Sequence, residues 1–260
     1  MKLKNLFLTV FVVIASLTLE AQTVAVVDYM KVPENGGAAY TAIEKQWKAL
    51  HQSRLESGKI LAWELWYVWN SGSSSPYNFA TVTIYENFNK TATQLTEEEL
   101  KKAWGDKMDD FLKQTTASRS LIYSEMYQLQ TGIDATVSDK YIVVNSIHTD
   151  NVNDYIKMEN VGYKPLHEES KKLGTRNSWG IWTRWPNADN SIQAVAVDGF
   201  TRFEDISNVD YGILLEKVIA GKKAGEIMDM TYQMQRTDEI RTIVKSEIWE
   251  YVDGTTPKKM

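Results

Sequence analysis

The 260-residue sequence contains no cysteine. This excludes disulfide bonds, a thiolate nucleophile, a cysteine-bearing metal site and a lipid-modified cysteine. The 29 basic residues are outnumbered by 34 acidic ones, and the two signs are mixed along the chain. We therefore do not expect a nucleic-acid partner, because such proteins carry a concentrated basic surface. After the N-terminus, no run of residues is long and apolar enough to cross a membrane.

Sequence motifs of several enzyme classes are also missing. We find no G-x-G-x-x-G, no phosphate-binding loop, no G-x-S-x-G and no H-E-x-x-H. The chain has only three histidines, so a three-histidine zinc site would need all of them. We predict no metal site, and the residues do not name a cofactor.

The N-terminus has the layout of a secretory signal peptide. Lys2 and Lys4 precede an apolar run from Leu6 to about Leu19, and Ala21 provides a small residue for cleavage before Gln22. The apolar run is shorter than the roughly 20 residues that span a bilayer, which favours cleavage over an uncleaved anchor. We predict a periplasmic or secreted protein with no membrane attachment after cleavage.

Six of the nine tryptophans lie in two copies of one pattern. LAWELWYVWN and NSWGIWTRWP each place three tryptophans three residues apart. A shift of 116 positions aligns them without a gap, and it also aligns Lys48 with Lys164 and His51 with His167. Chance matches at this density are improbable, so the chain is an internal duplication.

Both ends of the repeat agree with this duplication. TVAVVDY aligns with KYIVVNS, and RSLIYSEMYQLQTG aligns with RTIVKSEIWEYVDG. We divide the chain into a signal peptide (1–21), repeat 1 (22–132), a linker (133–139), repeat 2 (140–254) and a C-terminal tail (255–260).

Each repeat predicts the element order β-α-β-β-α-β, the ferredoxin-like unit. In repeat 1, apolar residues at helical spacing predict a first helix from about Gly37 to Leu55. Gly58 and Gly174 lie where these first helices would end, and Pro165 predicts a kink or a restart in the second copy.

The second helix of repeat 1 has its own start signal. Thr96 and Glu99 have the spacing of a capping box, and we expect the helix to run to about Gln114. Turns rich in Gly, Ser, Pro and Asn, NSGSSSPYN and PNADNS, predict a hairpin in the middle of each repeat.

A paired ferredoxin-like unit with aromatic-rich strands resembles the dimeric α/β-barrel superfamily. That superfamily includes antibiotic-biosynthesis-type monooxygenases, heme-degrading monooxygenases, chlorite-dismutase-like proteins and stress-responsive barrel proteins. The resemblance covers essentially all of the chain after residue 21, and it rests on element order and duplication. It implies an α+β fold in which tandem repeats form an intramolecular dimeric α/β barrel, with a ligand pocket between the sheet and the helices of each repeat.

The pattern of the heme-degrading members is not reproduced. Resemblance to those proteins would imply an Asn on the first strand, a Trp, and a heme-ligating His on the second helix. Here Asn145 lies on a first strand, but we align it with Tyr29, and the repeated His lies on the first helix. We therefore do not transfer heme chemistry to these positions.

The tryptophans of the second strand alternate between its two faces. In the first copy one face carries Trp66, and the other carries Trp63, Leu65, Tyr67 and Trp69. In the second copy Trp182 lies on the face opposite to that of Trp179 and Trp185. Large aromatic residues on both faces indicate that both faces are covered. Core packing explains this, and a wall for a flat apolar or sugar-like ligand, formed by Trp66 and Trp182, is the alternative.

The K-x-x-H pair places an ammonium beside an imidazole on one helix face in each repeat. A neighbouring cation lowers the pKa of an imidazole and keeps it neutral, as an acceptor or a general base. We take His51 and His167 as candidate catalytic residues and Lys48 and Lys164 as candidate ligand-binding residues. A partly buried His that bridges local groups is the alternative.

The last strand of each repeat carries a Ser-Glu pair, with Glu125 in the first copy and Glu247 in the second. Strand alternation sets Glu125 on the face of Tyr123 and Tyr127. A carboxylate among aromatic rings has a raised pKa or needs a cation, so both glutamates are candidate ligand-binding residues. A salt bridge to a helix Lys or Arg is the alternative.

Three classes of function follow from these residues. Our leading hypothesis is an exported tandem α/β barrel that binds a small apolar or aromatic ligand in helix–sheet pockets. The second is an enzyme, monooxygenase- or cyclase-like and either cofactor-independent or heme-dependent, in which His51 or His167 is the general base. The third is a non-catalytic structural or assembly protein. Assembly into a homo-oligomer is left open by the sequence.

Overall fold

A computed structural model describes residues 23–256, apart from residues 71, 73, 94 and 187–190. The predicted signal peptide, part of each predicted hairpin turn and most of the C-terminal tail therefore lie outside the described residues. In the part of the chain that is described, no helix is long and apolar enough to cross a membrane.

Repeat 1 contains four strands with helices after the first and the third. The strands are β1 (Val24–Lys31), β2 (Ala62–Val68), β3 (Phe79–Tyr85) and β4 (Ser120–Ile133). The helices are α1 (Gly37–Glu56), the short α2 (Phe88–Thr91), α3 (Glu97–Trp104) and α4 (Met108–Ser118).

Repeat 2 follows the same order. Its strands are β5 (Tyr141–His148), β6 (Ser178–Arg184), β7 (Ala194–Phe200) and β8 (Thr242–Gly254). Its helices are α5 (Val152–Met158), α6 (Lys164–Lys172), α7 (Tyr211–Ile219), α8 (Ala224–Gln235) and the short α9 (Thr237–Ile240).

The eight strands close into one antiparallel barrel in the order β1-β3-β2-β8-β5-β7-β6-β4. Strand β4 returns to β1, and the two repeats are joined by the β2–β8 and β4–β6 pairs. Each repeat therefore contributes half of a shared wall, and neither half has a free sheet edge. The predicted α+β fold, tandem ferredoxin-like repeats forming an intramolecular dimeric α/β barrel, is confirmed.

Strand alternation divides the side chains between the barrel interior and the helix-covered outer face. Trp66 belongs to the interior cluster, whereas Trp63 and Leu65 belong to the cluster under the helices of repeat 1. Trp179 and Ile181 have the same outer position in repeat 2. Burying one such indole contributes about 4–6 kcal/mol as an upper estimate, so the repeated tryptophans stabilise both layers.

The predicted helix ends are confirmed in detail. Gly58 and Gly174 have φ angles of +70° and +75°, which glycine adopts without the steric cost of a Cβ. Thr96 and Glu99 form the expected reciprocal capping box. In repeat 2, a π-helical turn over residues 159–163 precedes α6, which restarts with Pro165 in its first turn.

Two expectations were wrong. The second helix of repeat 1 does not continue to Gln114 without a break, because a 3-10 turn at Gly105–Lys107, where Gly105 has a φ of +53°, separates α3 from α4. Asn145 corresponds to Asp28, as the aligned segments TVAVVDY and KYIVVNS require, and not to Tyr29, since Asp28 is paired with Ser124 and Asn145 with Ser246. The alignment of the first strands is therefore offset by 117 positions, one more than that of the tryptophans.

Candidate functional site

A pocket of about 480 Å³ lies between α1 and the outer face of the repeat 1 strands. Helix α1 contributes Glu44, Trp47 and His51, because these positions lie on its sheet-facing side. Trp63 of β2 and Arg119, just before β4, complete its polar and aromatic centre.

The charged centre of this pocket is a buried ion pair. Arg119 Nη1 lies 2.8 Å from Glu44 Oε1, and the Glu44 side chain is only 2% exposed. The guanidinium also lies over the ring of Tyr40, with its carbon 5.8 Å from the ring centroid. Burial of two charges costs free energy that their attraction only partly offsets, so this pair is weak evidence for stability and stronger evidence for a site.

His51 lies flat against Trp63. The two ring centroids are 5.0 Å apart and the planes differ by 5°. The imidazole Nδ1 is buried and has no hydrogen-bond partner. The pKa of His51 is lowered to about 3, chiefly by burial and also by the nearby Arg54 guanidinium. The imidazole is therefore neutral at physiological pH.

Repeat 2 has a matching pocket of about 390 Å³. Arg241 Nη1 lies 3.2 Å from Glu159 Oε1, and Glu159 is almost fully buried. His167 stacks on Trp179 with a centroid separation of 4.8 Å, and its Nδ1 also has no hydrogen-bond partner. Burial lowers the pKa of His167 well below its usual value.

The two buried glutamates are the residues that sequence reasoning missed. Burial raises the pKa of Glu44 and of Glu159 to about 7, although the paired arginine in each pocket opposes the shift. Tight ion pairing alone would lower these values, but desolvation of a nearly inaccessible carboxylate is the larger effect. A carboxyl group with a pKa close to the operating pH can both accept and release a proton.

A sequence signal for these glutamates exists, but it has a different offset. Tyr40 and Glu44 correspond to Tyr155 and Glu159 at a spacing of 115 positions, whereas His51 and His167 are 116 apart. Repeat 2 therefore has one extra residue between its Glu and its His. The π-helical turn at Glu159–Tyr163 absorbs that residue, because a π turn holds one residue more than an α turn. Both side chains consequently still face the pocket.

A second guanidinium lies near the histidine of each repeat, and the two come from different positions in the sequence. Arg54 comes from the last turn of α1, whereas Arg176 comes from the segment before β6. Arg176 pairs with Asp198 of β7 and donates to the Tyr211 hydroxyl at 3.3 Å. These two arginines are not aligned in the repeats, so no comparison of the copies could have identified them.

The candidate lysines lie outside both pockets. Lys48 of repeat 1 donates to Asp253 of β8 at 2.6 Å, and Lys164 of repeat 2 donates to Thr131 of β4 at 3.0 Å. Each lysine therefore links the helix layer of one repeat to a strand of the other.

The candidate tryptophans and glutamates of the strands lie in the barrel interior, away from the histidines. Trp66 and Trp182 line a cavity inside the barrel. Glu125 forms an ion pair with Arg184 at 2.9 Å, and Glu247 forms one with Lys245 at 2.7 Å. The candidate residues thus divide between three places, and only His51 and His167 lie in helix–sheet pockets.

The helix–sheet pockets do not suit a heme. A porphyrin needs a wide apolar slot around its ring. The pocket of repeat 1 is instead lined by the charged Glu44, Arg54 and Arg119. Within the described residues, no group of three or more His, Asp and Glu side chains is placed to hold a metal ion.

The chain has the fold of solved dimeric α/β-barrel proteins. One is the "putative monooxygenase" from Lactobacillus acidophilus, with 12% identity and a TM-score of 0.52 over 90% of this chain and 96% of that one. Another is the "putative monooxygenase" from Fusobacterium nucleatum, with 12% identity and a TM-score of 0.53 over 92% and 95% of the two chains. The fold is that of a dimeric α/β barrel. No protein-family model and no curated protein sequence matches the chain.

Proposed function

We propose that the protein binds one small organic molecule in each of its two helix–sheet pockets. The observation that carries this proposal is the recurrence of one buried set, a Tyr, a Glu–Arg ion pair and a His stacked on a Trp, in both repeats. The set persists although repeat 2 has an additional residue between the Glu and the His.

Core packing alone is a weaker explanation of this set. Apolar residues of similar volume would fill the same space without the cost of desolvating an ion pair. An imidazole nitrogen that is buried without a partner also costs free energy, and a ligand could supply that partner. The imidazole Nδ1 has no hydrogen-bond partner in either pocket. A role in ligand binding therefore explains the arrangement better than packing does.

The pocket chemistry indicates the class of ligand. The stacked imidazole and indole form a flat wall, which suits an aromatic or other planar body. The arginine and the neutral imidazole can bind a carbonyl, phenol or carboxylate group on that body. A compact aromatic acid or phenol satisfies both requirements within a volume of 390–480 Å³.

An enzyme is the second candidate, and the pKa of the glutamates favours it. Glu44 and Glu159, with pKa values of about 7, could remove a proton from a phenol or from a carbon next to a carbonyl. His51, whose pKa is about 3, is a weak base and would orient the substrate instead. Two solved structures with the same fold bear the name "putative monooxygenase". Oxygenation by this protein would take dioxygen from solution.

Calorimetric titration with a panel of aromatic acids, phenols and neutral arenes tests the binding proposal. We expect a stoichiometry of two ligands per chain. The pair Arg119→Met and Arg241→Met should weaken binding of the acids at least tenfold, because each removes a charge-assisted hydrogen bond. The matched control is Lys48→Met with Lys164→Met, which removes the same number of charges outside the pockets.

The same titration separates the alternatives. Absence of binding by every panel member, together with an intact fold, would favour the structural or assembly hypothesis. Consumption of dioxygen with a bound phenol, lost in Glu44→Gln with Glu159→Gln, would establish the enzyme.

Export is part of this proposal, with the predicted signal peptide as its support. N-terminal sequencing of protein recovered from a periplasmic or culture fraction should begin at Gln22. Recovery only from the cytoplasm with an intact N-terminus would contradict export.

A further inference from the structure

The barrel interior contains a third cavity, separate from the helix–sheet pockets, with a volume of about 540 Å³. Its walls are valines, isoleucines and six aromatic side chains, namely Tyr29, Trp66, Tyr127, Trp182, Trp249 and Tyr251. The linker between the repeats, Ala135–Asp139, lines one end. The strands that form the walls come from both repeats, so the cavity exists only because the barrel is closed.

One carboxyl group projects into this aromatic cavity without a cation. Glu64 of β2 is partly buried in the cavity wall, and it accepts a hydrogen bond from the Trp66 indole N–H at 3.1 Å. Among the described residues, no Lys, Arg or His forms an ion pair with Glu64. A carboxylate among apolar and aromatic side chains normally has a cationic partner, so this position lacks a complement that a ligand could provide.

Two other carboxylates of the barrel strands do have cations. Glu125 pairs with Arg184, and Glu247 pairs with Lys245, and neither glutamate lines the cavity. The carboxylates that line the cavity are instead those of Glu64 and of the linker. Asp139 of the linker adds a second carboxylate there, held by Asn177 and Ser178 at 2.7 and 2.6 Å.

Glu64 also breaks the symmetry of the two repeats. The aligned residue of repeat 2 is Gly180, where an added Cβ would lie 3.0 Å from Trp182 Nε1. The carboxylate thus projects from one repeat only, and the other leaves room for an indole. A ligand that pairs with Glu64 would bind once per chain.

We propose that the barrel interior binds one small organic cation, an amine or quaternary ammonium group on an apolar body, with its charge at Glu64 and its body among the indole and phenol rings. Aromatic faces attract cations through their quadrupoles, and the attraction is strongest where water is excluded. A carboxylate with indole and phenol walls is the combination that such a cation needs. Neutral apolar molecules would match the walls but would leave the Glu64 carboxylate without a cation.

The ionisation of Glu64 supports this assignment. The pKa of Glu64 is raised to about 7, chiefly by desolvation and also by the charge of Asp139, while the hydrogen bond from Trp66 opposes the shift. Tyr251 of β8 is the other titratable group on which Glu64 acts, and Lys171 of α6 acts on Asp139. A bound cation would favour the ionised carboxylate, so binding should release a proton near neutral pH and strengthen as the pH rises from 5.5 to 8.

Charge selectivity in the wild-type protein is the first test. The probes are benzyltrimethylammonium, benzyl alcohol and phenylacetate, which share an aromatic body and differ in charge. Calorimetry should show one cation per chain, bound at least tenfold more tightly than the alcohol, with phenylacetate excluded from the barrel. The barrel site and the helix–sheet pockets can be distinguished by ligand charge and stoichiometry. The barrel should bind one cation per chain, whereas the pockets should bind two acids.

Two variants locate the site. Glu64→Gln keeps the shape and the indole contact but removes the charge, so it should weaken benzyltrimethylammonium binding about tenfold or more and abolish its pH dependence. Val82→Phe, on a strand residue paired with Glu64, fills the cavity and should abolish binding while Glu64 remains. The control is Glu97→Gln on the exposed surface of α3, which should change nothing.

The proposal is overturned by any of three results. Benzyl alcohol could bind as tightly as the cation, the cation could bind to Glu64→Gln with unchanged affinity, or the wild-type protein could bind no cation of the panel. If Glu64→Gln does not fold, the wild-type selectivity and the Val82→Phe variant still decide the question.

Discussion

Replacement of Glu44 by glutamine tests whether the pocket carboxyl group exchanges a proton near neutral pH. Glutamine keeps the size of the side chain and cannot ionise. The difference in free energy of unfolding between the wild type and Glu44→Gln therefore isolates the proton linkage of this one group, because every other titrating group is shared.

The magnitude follows from the pKa values. The carboxyl group has a value of 4.5 when unperturbed and about 7 in the folded protein. A raised pKa means that the folded state binds the proton more tightly, so the contribution of Glu44 is most favourable below pH 4.5 and is lost as the pH rises through 7. Between pH 5 and pH 8, the stability of the wild type relative to the variant should fall by about 2.5 kcal/mol.

Urea unfolding of both proteins at four pH values between 5 and 8 gives this difference directly. Glu159→Gln should give a similar slope, because the pKa of Glu159 is raised to the same value. The surface variant Glu97→Gln should give no such fall. A flat difference from pH 5 to pH 8 would mean that Arg119 keeps Glu44 ionised throughout, and the proposed proton transfer would be refuted.

Three further outcomes are expected. His51→Phe should keep the stack on Trp63 and leave the melting temperature equal or higher, since it removes a buried nitrogen without a partner, while ligand binding in that pocket is lost in calorimetry. Gly199→Ala should lower the free energy of unfolding by about 1–3 kcal/mol in urea, because its Cβ would collide with Ser178 and Asp139, whereas Gly221→Ala, with open space around it, should have little effect. Lys48→Met should cost less than about 1 kcal/mol in the same assay, because both members of its ion pair are about one-third exposed.

The fold was predictable because the repeat carries local signals of several kinds. The alternation of tryptophans identified both faces of β2, and the glycines at positions 58 and 174 marked the helix ends. Duplication then implied that the two sheets complete each other, and the β2–β8 and β4–β6 pairs realise this.

The site was only partly predictable, because it depends on residues that the linear alignment displaces. His51 was found since it stands out as a rare residue at a matched position. Glu44 was missed because its counterpart is offset by one residue, a shift that a π-helical turn accommodates in three dimensions. Arg54 lines its pocket and Arg176 lies near His167, and neither position has an arginine counterpart in the other repeat.

The separation of the other candidates has a geometric cause. Lys48 and His51 are neighbours in the helix, but the lysine side chain reaches Asp253 while the imidazole turns under the helix toward Trp63. Trp66 and Glu125 were grouped with His51 because all three lie on elements that meet at one sheet. A sheet has two faces, and these residues lie on the inner one.

The most direct test of the two-pocket account is the titration of the imidazole groups by nuclear magnetic resonance. With only three histidines in the chain, the side-chain nitrogen signals of tag-free ¹⁵N-labelled protein can be assigned by single substitutions. The account predicts that His51 and His167 stay neutral from pH 8 to pH 5, because both are buried beside a guanidinium. Protonation of either imidazole near pH 6.5 would place it in water and contradict the pockets.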